Sequence, residues 1–413
     1  MYNFCLLLTM AMYIVVLLYK FIKYKYSLLL RITPWFMLFY FFYFLYAALC
    51  VDSFNKTDKW FLTVESLNQA KFFVIFLGLI FLLFFSQLTF PELKTLEIDK
   101  PKRIIVIISY IVVIFAFFLL LKSVKDLFLL FKSFGKEFNY LFYRSQLEQI
   151  RARSHLKILV YSLLAIYYYV CLPTGKLKWL LRADFILAFV FDVISGTRTS
   201  MFLIVLFLYV VTVRIKKKTY LPAMIVVCVL ILFSSNLTRL IGLQSTKNSD
   251  LTFIDKILSG NGEFNNTFIT LPYILEGKIL KNYDLTTFLS WGNFIPPLIR
   301  VFNEQSLGNI FQDSIGRGIG YGSNIISNWY YICSTISILF ITFFFIGIVY
   351  IDEKTNYGDF FALKVLFICF VRNYCREGLA SFMTALYIFI IYFGFYILLN
   401  KKNGRFLCIN FLH

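Results

Sequence analysis

Repeated apolar runs, each close to the length of a membrane span, constrain this chain more than any other feature of its sequence. The chain is 60% hydrophobic, against roughly 45–50% in soluble domains, and its mean hydropathy is +0.76. Because a helix of about 20 apolar residues crosses the hydrocarbon core, we expect an all-α polytopic integral membrane protein, with residues 1–413 forming a single membrane domain. The pattern predicts about 11 transmembrane helices, near residues 3–19, 32–51, 70–90, 104–121, 156–172, 183–195, 200–213, 219–234, 325–350, 360–371 and 379–399.

Basic loops set the predicted orientation. Lys and Arg number 41 against 22 Asp and Glu, which gives a net charge of +19. Such a balance suggests nucleic acid in a soluble protein, but most of these cations lie in short loops between apolar runs, where they favour the cytoplasmic side. The denser set of loops predicts a cytoplasmic C-terminus, an external N-terminus and no nucleic-acid partner. The first apolar run has no basic residue before it and no small-residue cleavage site, so we expect a retained span.

Two segments are predicted to be large extracytoplasmic loops. Residues 122–157 are basic, and helix-like spacing over 125–147 predicts an amphipathic helix on the outer surface. External loops of this length should carry few cations, so either the predicted orientation is wrong here or the charge serves a purpose. That purpose is either an anchor on anionic lipid or a landing surface for lipid pyrophosphate. Residues 235–323 form the one long region without a spanning run. Its apolar pieces are too short to cross a bilayer, so we expect short surface helices there.

Arg198 follows an apolar run that looks too short for a full span. Residues 183–194 cover roughly 18 Å of a roughly 30 Å hydrocarbon core, so the polar turn at 195–200 is expected at or below the outer headgroups. If Lys178 and Arg182 extend toward the interface, however, the span begins earlier and reaches further. Asp192 lies within this span. It either orients Arg198 or bonds a neighbouring hydroxyl, and we favour the structural role.

Arg372 is predicted to reach the same depth from a second short run. The run begins near Phe360, and a polar break is expected at 371–378. Two interrupted segments that converge at one depth point to a binding site, and the planar guanidinium of arginine suits a phosphate. The alternatives are structural, since Arg376 could pair with Glu377 and Lys364 could extend toward the inner face.

The long loop ends in a glycine-rich stretch. Gly318 and Gly320 permit close backbone approach to a ligand, with Arg317 and Tyr321 beside them; a plain re-entry into the membrane is the equal alternative. The stretch does not open a soluble βαβ unit, so a nucleotide site is not indicated. His155 and His413 are too far apart for a metal cluster, and we expect neither a metal nor another cofactor.

Three motifs in the long loop resemble the O-antigen polymerase family, the Wzy-type polymerases of oligosaccharide repeat units. They are residues 265–268 (Asn-Asn-Thr-Phe) with Pro272, residues 289–297 (Leu-Ser-Trp-Gly-Asn-Phe-Ile-Pro-Pro) and residues 316–326 (Gly-Arg-Gly-Ile-Gly-Tyr-Gly-Ser-Asn-Ile-Ile). Residues 195–198 (Ser-Gly-Thr-Arg) are similar to the Gly-Ser-Arg turn of that family, and the layout of spans fits as well.

The resemblance implies a glycosyltransferase. A growing glycan would leave undecaprenyl pyrophosphate and join a new lipid-linked repeat unit at the outer face of a bacterial inner membrane. Arginines would stabilise the charge of the leaving pyrophosphate, and a carboxylate would act as general base toward the acceptor hydroxyl. The residues expected to act in catalysis are Arg198, Arg317, Arg239, Arg300, Asp313 and Glu304. Those expected to bind substrate are Arg372, Arg376, Tyr321, Gly318 and Gly320.

Other functions share this architecture. An O-antigen ligase is expected to use a His in the large outer loop, and residues 235–323 contain none. A flippase or transporter of lipid-linked oligosaccharides is expected to show two similar halves, and a membrane scaffold for envelope assembly is a further alternative. The partners that a polymerase implies are the lipid bilayer, undecaprenyl-pyrophosphate-linked oligosaccharides, a chain-length regulator and a flippase.

Overall fold

The computed structural model shows a protein that is mostly helical, with no strand, over the residues it describes. These are residues 1–57, 61–93, 100–133, 156–195, 199–220, 222, 264, 267–279, 310, 324–354, 358–377, 387, 390–391 and 394. We number the α-helices α1 (Tyr2–Tyr24), α2 (Tyr26–Leu29), α3 (Ile32–Tyr40), α4 (Ala47–Thr57), α5 (Val64–Gln87), α6 (Arg103–Ser133), α7 (Leu156–Ile166), α8 (Leu172–Thr174), α9 (Lys178–Ser195), α10 (Thr199–Lys216), α11 (Thr270–Leu275), α12 (Ile325–Cys333), α13 (Ser337–Lys354) and α14 (Gly358–Glu377).

Two π-helical turns and one 3₁₀ turn interrupt these helices. The first π-helix, π1 (Phe41–Tyr46), joins α3 to α4, and the second, π2 (Tyr167–Cys171), joins α7 to α8. A 3₁₀ turn at Ser334–Ile336 separates α12 from α13. Ser334 has a φ of 53°, so the span predicted at 325–350 is two helices instead of one.

Five helical segments of the described chain are long and apolar enough to cross a membrane. This agrees with the prediction of a helical membrane protein. The other predicted spans, the orientation and the loop layout stay predictions. The five segments are Tyr2–Tyr24, Ile32–Ser53, Val64–Gln87, Arg103–Leu130 and Ile325–Glu353.

Several helices differ in length from the predicted spans. α6 runs to Ser133 without interruption, so the first part of the predicted surface helix at 125–147 continues α6; residues 134–155 lie outside the described part. α9 begins at Lys178 and has 18 residues, which matches the longer of the two alternatives for the span before Arg198. α14 runs through to Glu377, and the polar break expected at 371–378 is therefore wrong over its described residues.

The chain divides into two compact units. Unit 1 comprises residues 1–95, 210–219 and 246–384, and unit 2 comprises residues 96–209, 220–245 and 385–413. In unit 1, α3 packs against α5, α13 and α14, while α1 and α11 pack against α5. In unit 2, α9 lies along α6 and also touches α7 and π2.

Tyrosine hydroxyls connect three helices inside unit 1. Tyr13 of α1 donates to the Gly78 carbonyl of α5 at 3.0 Å, and Tyr40 of α3 donates to the Val74 carbonyl at 2.8 Å. Both phenol groups are buried. Helices in lipid gain little from the hydrophobic effect against one another, so bonds of this kind and close packing hold them together.

Candidate functional site

Helix α14 is the most enclosed helix of unit 1 among those the structure describes. Each of its described side chains is buried except that of Phe367. It packs against α3 and α12, and the guanidinium of Arg214 lies over the ring of Phe361, 5.1 Å from its centroid. A buried helix face is expected to be apolar, yet the described buried side chains of α14 include two cations, Lys364 and Arg372.

Lys364 is held by the C-terminal end of α13. Its Nζ atom lies 3.0 Å from Oδ1 of Asp352 and donates to the Asp352 carbonyl at 2.7 Å. The Lys364 side chain is 0% exposed. The ammonium group of Lys364 is therefore neutralised inside the protein instead of lying in water, and the expectation that Lys364 extends toward the inner face stays a prediction.

Asp352 also caps helix α3. Its carboxylate accepts from the backbone N–H groups of Ile32 at 2.9 Å and Thr33 at 3.0 Å, and from the Thr33 hydroxyl at 2.9 Å. Arg31, at the N-cap position of α3, makes no side-chain cap bond and instead donates to the Asp352 carbonyl at 2.8 Å. The first N–H groups of a helix lack partners within it. Asp352 therefore supplies, from another helix, the capping acceptor that the side chain of Arg31 does not provide.

Burial disfavours the charged form of Arg31 at this junction. It lowers the pKa of Arg31 below its ordinary value, while the carboxylates of Asp352 and Glu353 act in the opposite direction. An arginine remains charged throughout the accessible pH range. The junction therefore contains buried charges whose geometry fixes the start of α3 against the end of α13.

Arg372 lies eight residues beyond Lys364 on the same helix, which is about 12 Å along the axis. Its side chain is 7% exposed. π1 begins nine residues beyond the Asp352 cap on α3, about 14 Å along that neighbouring helix. Arg372 on α14 and π1 at the end of α3 thus each lie several helical turns from Asp352, and α3 and α14 pack against each other. π-helical turns occur frequently at functional sites.

A short piece of the long loop packs into unit 1. Helix α11 and the residues before it are buried, including Phe268 and Leu271, both 0% exposed. The segment packs against α5 and α12. A short helix was predicted here, but the expectation of a surface helix is wrong for α11, because its apolar residues fill a space between other helices.

Glu276 ties this loop segment to the start of α5. Its carboxylate accepts from the Thr63 backbone N–H at 2.9 Å and from the Ser66 hydroxyl at 3.0 Å, and Lys278 lies 3.2 Å away. Partial burial works to raise the pKa of Glu276, but the bonds from Thr63, Lys278 and Ser66 outweigh it, so the pKa lies below its ordinary value.

A second tie joins the loop segment to the start of α12. The Asn324 side chain, which is 0% exposed, donates to the Thr267 carbonyl at 2.7 Å. Its amide oxygen accepts from the Ser327 N–H at 2.8 Å and so caps α12. The loop segment is therefore fastened at both of its described ends.

The predicted site residues fall mostly outside the described part of the chain. Arg372 is described and buried, and Arg376 is described only as backbone on the last turn of α14. Their grouping around one pocket stays a prediction. The residues outside the described part are Arg198, Arg239, Arg300, Glu304, Asp313, Arg317, Gly318, Gly320 and Tyr321.

Asp192 makes a structural contact, and the alternative that it orients Arg198 stays a prediction, because Arg198 lies outside the described residues. Its carboxylate accepts from the backbone N–H of Met201 at 2.8 Å, near the start of α10. No role for Asp352, Glu276 or Asp184 is predicted from the sequence. The available signal in the sequence was an acid at one end of an apolar run: Asp352 lies at the end of such a run, and Asp184 lies at the start of one.

Comparison with known proteins finds no match. No family model, no curated protein and no solved structure is similar to this chain at a significant level.

Proposed function

We propose that the protein polymerises lipid-linked oligosaccharide repeat units, transferring a growing glycan from undecaprenyl pyrophosphate to a new repeat unit at the outer face of a bacterial inner membrane. The proposal rests on the resemblance of the loop motifs and on the helical membrane architecture. The observation that carries it on the structural side is the buried guanidinium of Arg372 on α14. A cation enclosed within membrane helices is costly and is retained mainly for function.

Arg372 supplies the chemistry that the reaction requires. Cleavage of the bond to undecaprenyl pyrophosphate leaves negative charge on the pyrophosphate oxygens. A guanidinium in a water-poor setting stabilises such charge far better than it would in water. Its planar fork also donates two parallel hydrogen bonds to one phosphate. Arg198 and Arg317 are proposed to complete the same pyrophosphate site, and Arg239 and Arg300 to line its outer part.

The fastened loop segment supports the acceptor side of the proposal. Residues 267–279, the longest described stretch of the long loop, are held by Glu276 and by Asn324, and we propose that Asp313 and Glu304 of the same loop act from this support. A rigid support for catalytic groups reduces the entropy lost on reaching the transition state. We propose that one of these two carboxylates takes the proton of the acceptor hydroxyl.

Arginine substitutions in a cell that makes lipid-linked repeat units test the proposal. Arg372→Ala is expected to lower chain extension by about 10²–10³-fold, and Arg372→Lys is expected to retain part of it, because lysine keeps the charge but not the fork. Arg198→Ala and Arg317→Ala are expected to abolish extension. The exposed Arg182→Ala is the matched control. The measurement is the length distribution of the surface glycan, with membrane insertion followed by immunoblot.

The length distribution of the surface glycan also distinguishes a polymerase from a ligase or a flippase. A polymerase variant leaves single repeat units on the surface and removes the long ladder. A ligase or flippase variant removes all repeats from the surface. Normal ladders from the Arg198, Arg317 and Arg372 variants, at normal protein levels, would contradict the pyrophosphate site.

A further inference from the structure

The buried face of α9 in unit 2 carries two aspartates that differ in their hydrogen bonding. Asp192 accepts a hydrogen bond from Met201. Asp184 lies eight residues earlier and is 0% exposed, and neither of its carboxylate oxygens has a hydrogen-bond partner. Leu181 and Ala188, one turn to either side, are also buried. Asp184 is therefore an enclosed acid among apolar neighbours on its own helix.

The helices packed on α9 offer Asp184 no buried countercharge among their described residues. On α6, the buried hydroxyls of Ser109 and Ser123 donate to carbonyls of their own helix, at 2.7 Å and 2.9 Å. The other buried polar side chains on these helices are phenols, a hydroxyl and a thiol: Tyr161 and Ser162 on α7, and Tyr168, Tyr169 and Cys171 on π2. The charged side chains described on α6 and on α9, apart from the two aspartates, are at least partly exposed: Arg103, Lys122, Lys125, Asp126, Lys132, Lys178 and Arg182.

Charge and geometry then limit what Asp184 can bind. An ionised carboxylate enclosed without a cation or a donor is strongly disfavoured. A metal ion requires several oxygen ligands around it, and the described residues contain no group of three His, Cys, Asp or Glu that could hold one. A proton requires only the carboxyl group itself.

The neighbouring backbone provides a place where the packing on α9 can change. π2 touches both α9 and α6, and π-helical turns are found often at functional sites. Asp184 lies six residues from the start of α9, about 9 Å along the axis, and the side chains at that start, Lys178 and Trp179, are exposed. A small separation of α9 from its neighbours would let water reach the carboxyl group.

We propose that Asp184 is a proton-binding site, which holds a proton while α9 is packed against α6 and π2 and releases it to water when that packing opens. In this step the O–H bond of the carboxyl group breaks and the proton passes to a water molecule, leaving a hydrated carboxylate. The proposal concerns unit 2 alone and does not depend on the glycan chemistry.

The test compares three forms of the full-length protein in lipid nanodiscs: the unaltered chain, Asp184→Asn and, as matched control, Asp192→Asn. Infrared spectroscopy reports the carbonyl band of a protonated carboxyl group. We expect this band at neutral pH in the unaltered protein and in Asp192→Asn, and its loss in Asp184→Asn. Absence of a difference between the unaltered protein and Asp184→Asn would overturn the proposal.

Thermal unfolding supplies a second readout. A group that is protonated when folded and ionised when unfolded stabilises the fold at low pH, and this contribution is lost as the pH rises. The melting temperature of the unaltered protein is therefore expected to contain a component that falls as the pH rises from acid to neutral, and Asp184→Asn to lack it. Equal pH dependence in both forms would overturn the proposal. So would a rise in melting temperature with Na⁺ that Asp184→Asn abolishes, because the ligand would then be a metal cation.

Discussion

Replacing Asp352 by alanine is the most demanding test of how unit 1 is held together. Asp352 pairs with Lys364 at 3.0 Å and accepts the N–H groups of Ile32 and Thr33. Alanine removes the carboxylate and leaves the ammonium of Lys364 enclosed without its ion-pair partner. Breaking a buried pair in this way typically costs about 3–5 kcal/mol, and the lost helix cap alone accounts for about 1 kcal/mol.

These contributions share one carboxylate and do not add, so we expect a total loss of about 3–5 kcal/mol. At about 1.4 kcal/mol per factor of ten, the unfolded fraction rises by about a hundredfold to a few thousandfold. Stabilities of single domains are about 5–15 kcal/mol. Asp352→Ala should therefore unfold at a clearly lower temperature and remain only marginally folded.

Two buried cysteines on α14 supply the assay. Cys369 and Cys375 are free thiols, and they are 1% and 0% exposed. The chain has 8 cysteines, so the other cysteines are first replaced by alanine. A thiol-reactive fluorophore added during a temperature ramp in detergent then reports only on these two thiols, which react when α14 loses its packing. We expect the labelling midpoint of Asp352→Ala to fall by several degrees.

Two further variants make this result specific. Glu353→Ala removes the adjacent exposed acid and is expected to change stability by no more than about 0.5 kcal/mol. Asp352→Ala combined with Lys364→Met removes the stranded ammonium and is expected to recover much of the loss, because an apolar pair of similar volume often matches a buried ion pair. An unchanged midpoint for Asp352→Ala would refute the reasoning.

Three smaller predictions follow from other contacts. The pKa of Glu276 lies below its ordinary value of 4.5, so its contribution to docking of the loop segment is present at neutral pH and is lost as the pH falls through the folded pKa. Limited proteolysis of the loop should therefore be faster at acid pH. At neutral pH, Glu276→Gln should be cleaved faster than the unaltered chain. Tyr40→Phe, which deletes one bond to a carbonyl of α5, is expected to cost about 0.5–1.5 kcal/mol in the thiol-labelling assay, and no loss would contradict a role for that bond. Asp192→Ala uncaps α10 at Met201 and is expected to cost about 1 kcal/mol by thermal unfolding, whereas Asp192→Asn, which keeps an acceptor oxygen, should cost less.

The sequence by itself determined the class of fold and much of its helix pattern. Apolar runs of spanning length predict helices because lipid offers no partner to an exposed peptide group, and the first runs, near residues 3–19 and 32–51, correspond closely to α1 and to α3 with its continuation. Helix ends were less predictable. Lys122 and Lys125 looked like the start of a loop, but exposed lysines continue a helix at little cost, so α6 runs on to Ser133.

Only the tertiary structure decided which polar groups meet. Asp352 and Thr33 are 319 residues apart in the chain, and Glu276 and Thr63 are 213 apart, so no local pattern in the sequence indicates either pair. The burial of Arg372 and of helix α11 likewise depends on neighbours from distant segments. Hydropathy ranks a residue by its transfer from water to lipid. Whether Lys364, Asp184 and Asp192 are paired inside the protein depends instead on whether another segment brings a charge or a hydrogen-bond donor to them. That is a property of the packed helices alone.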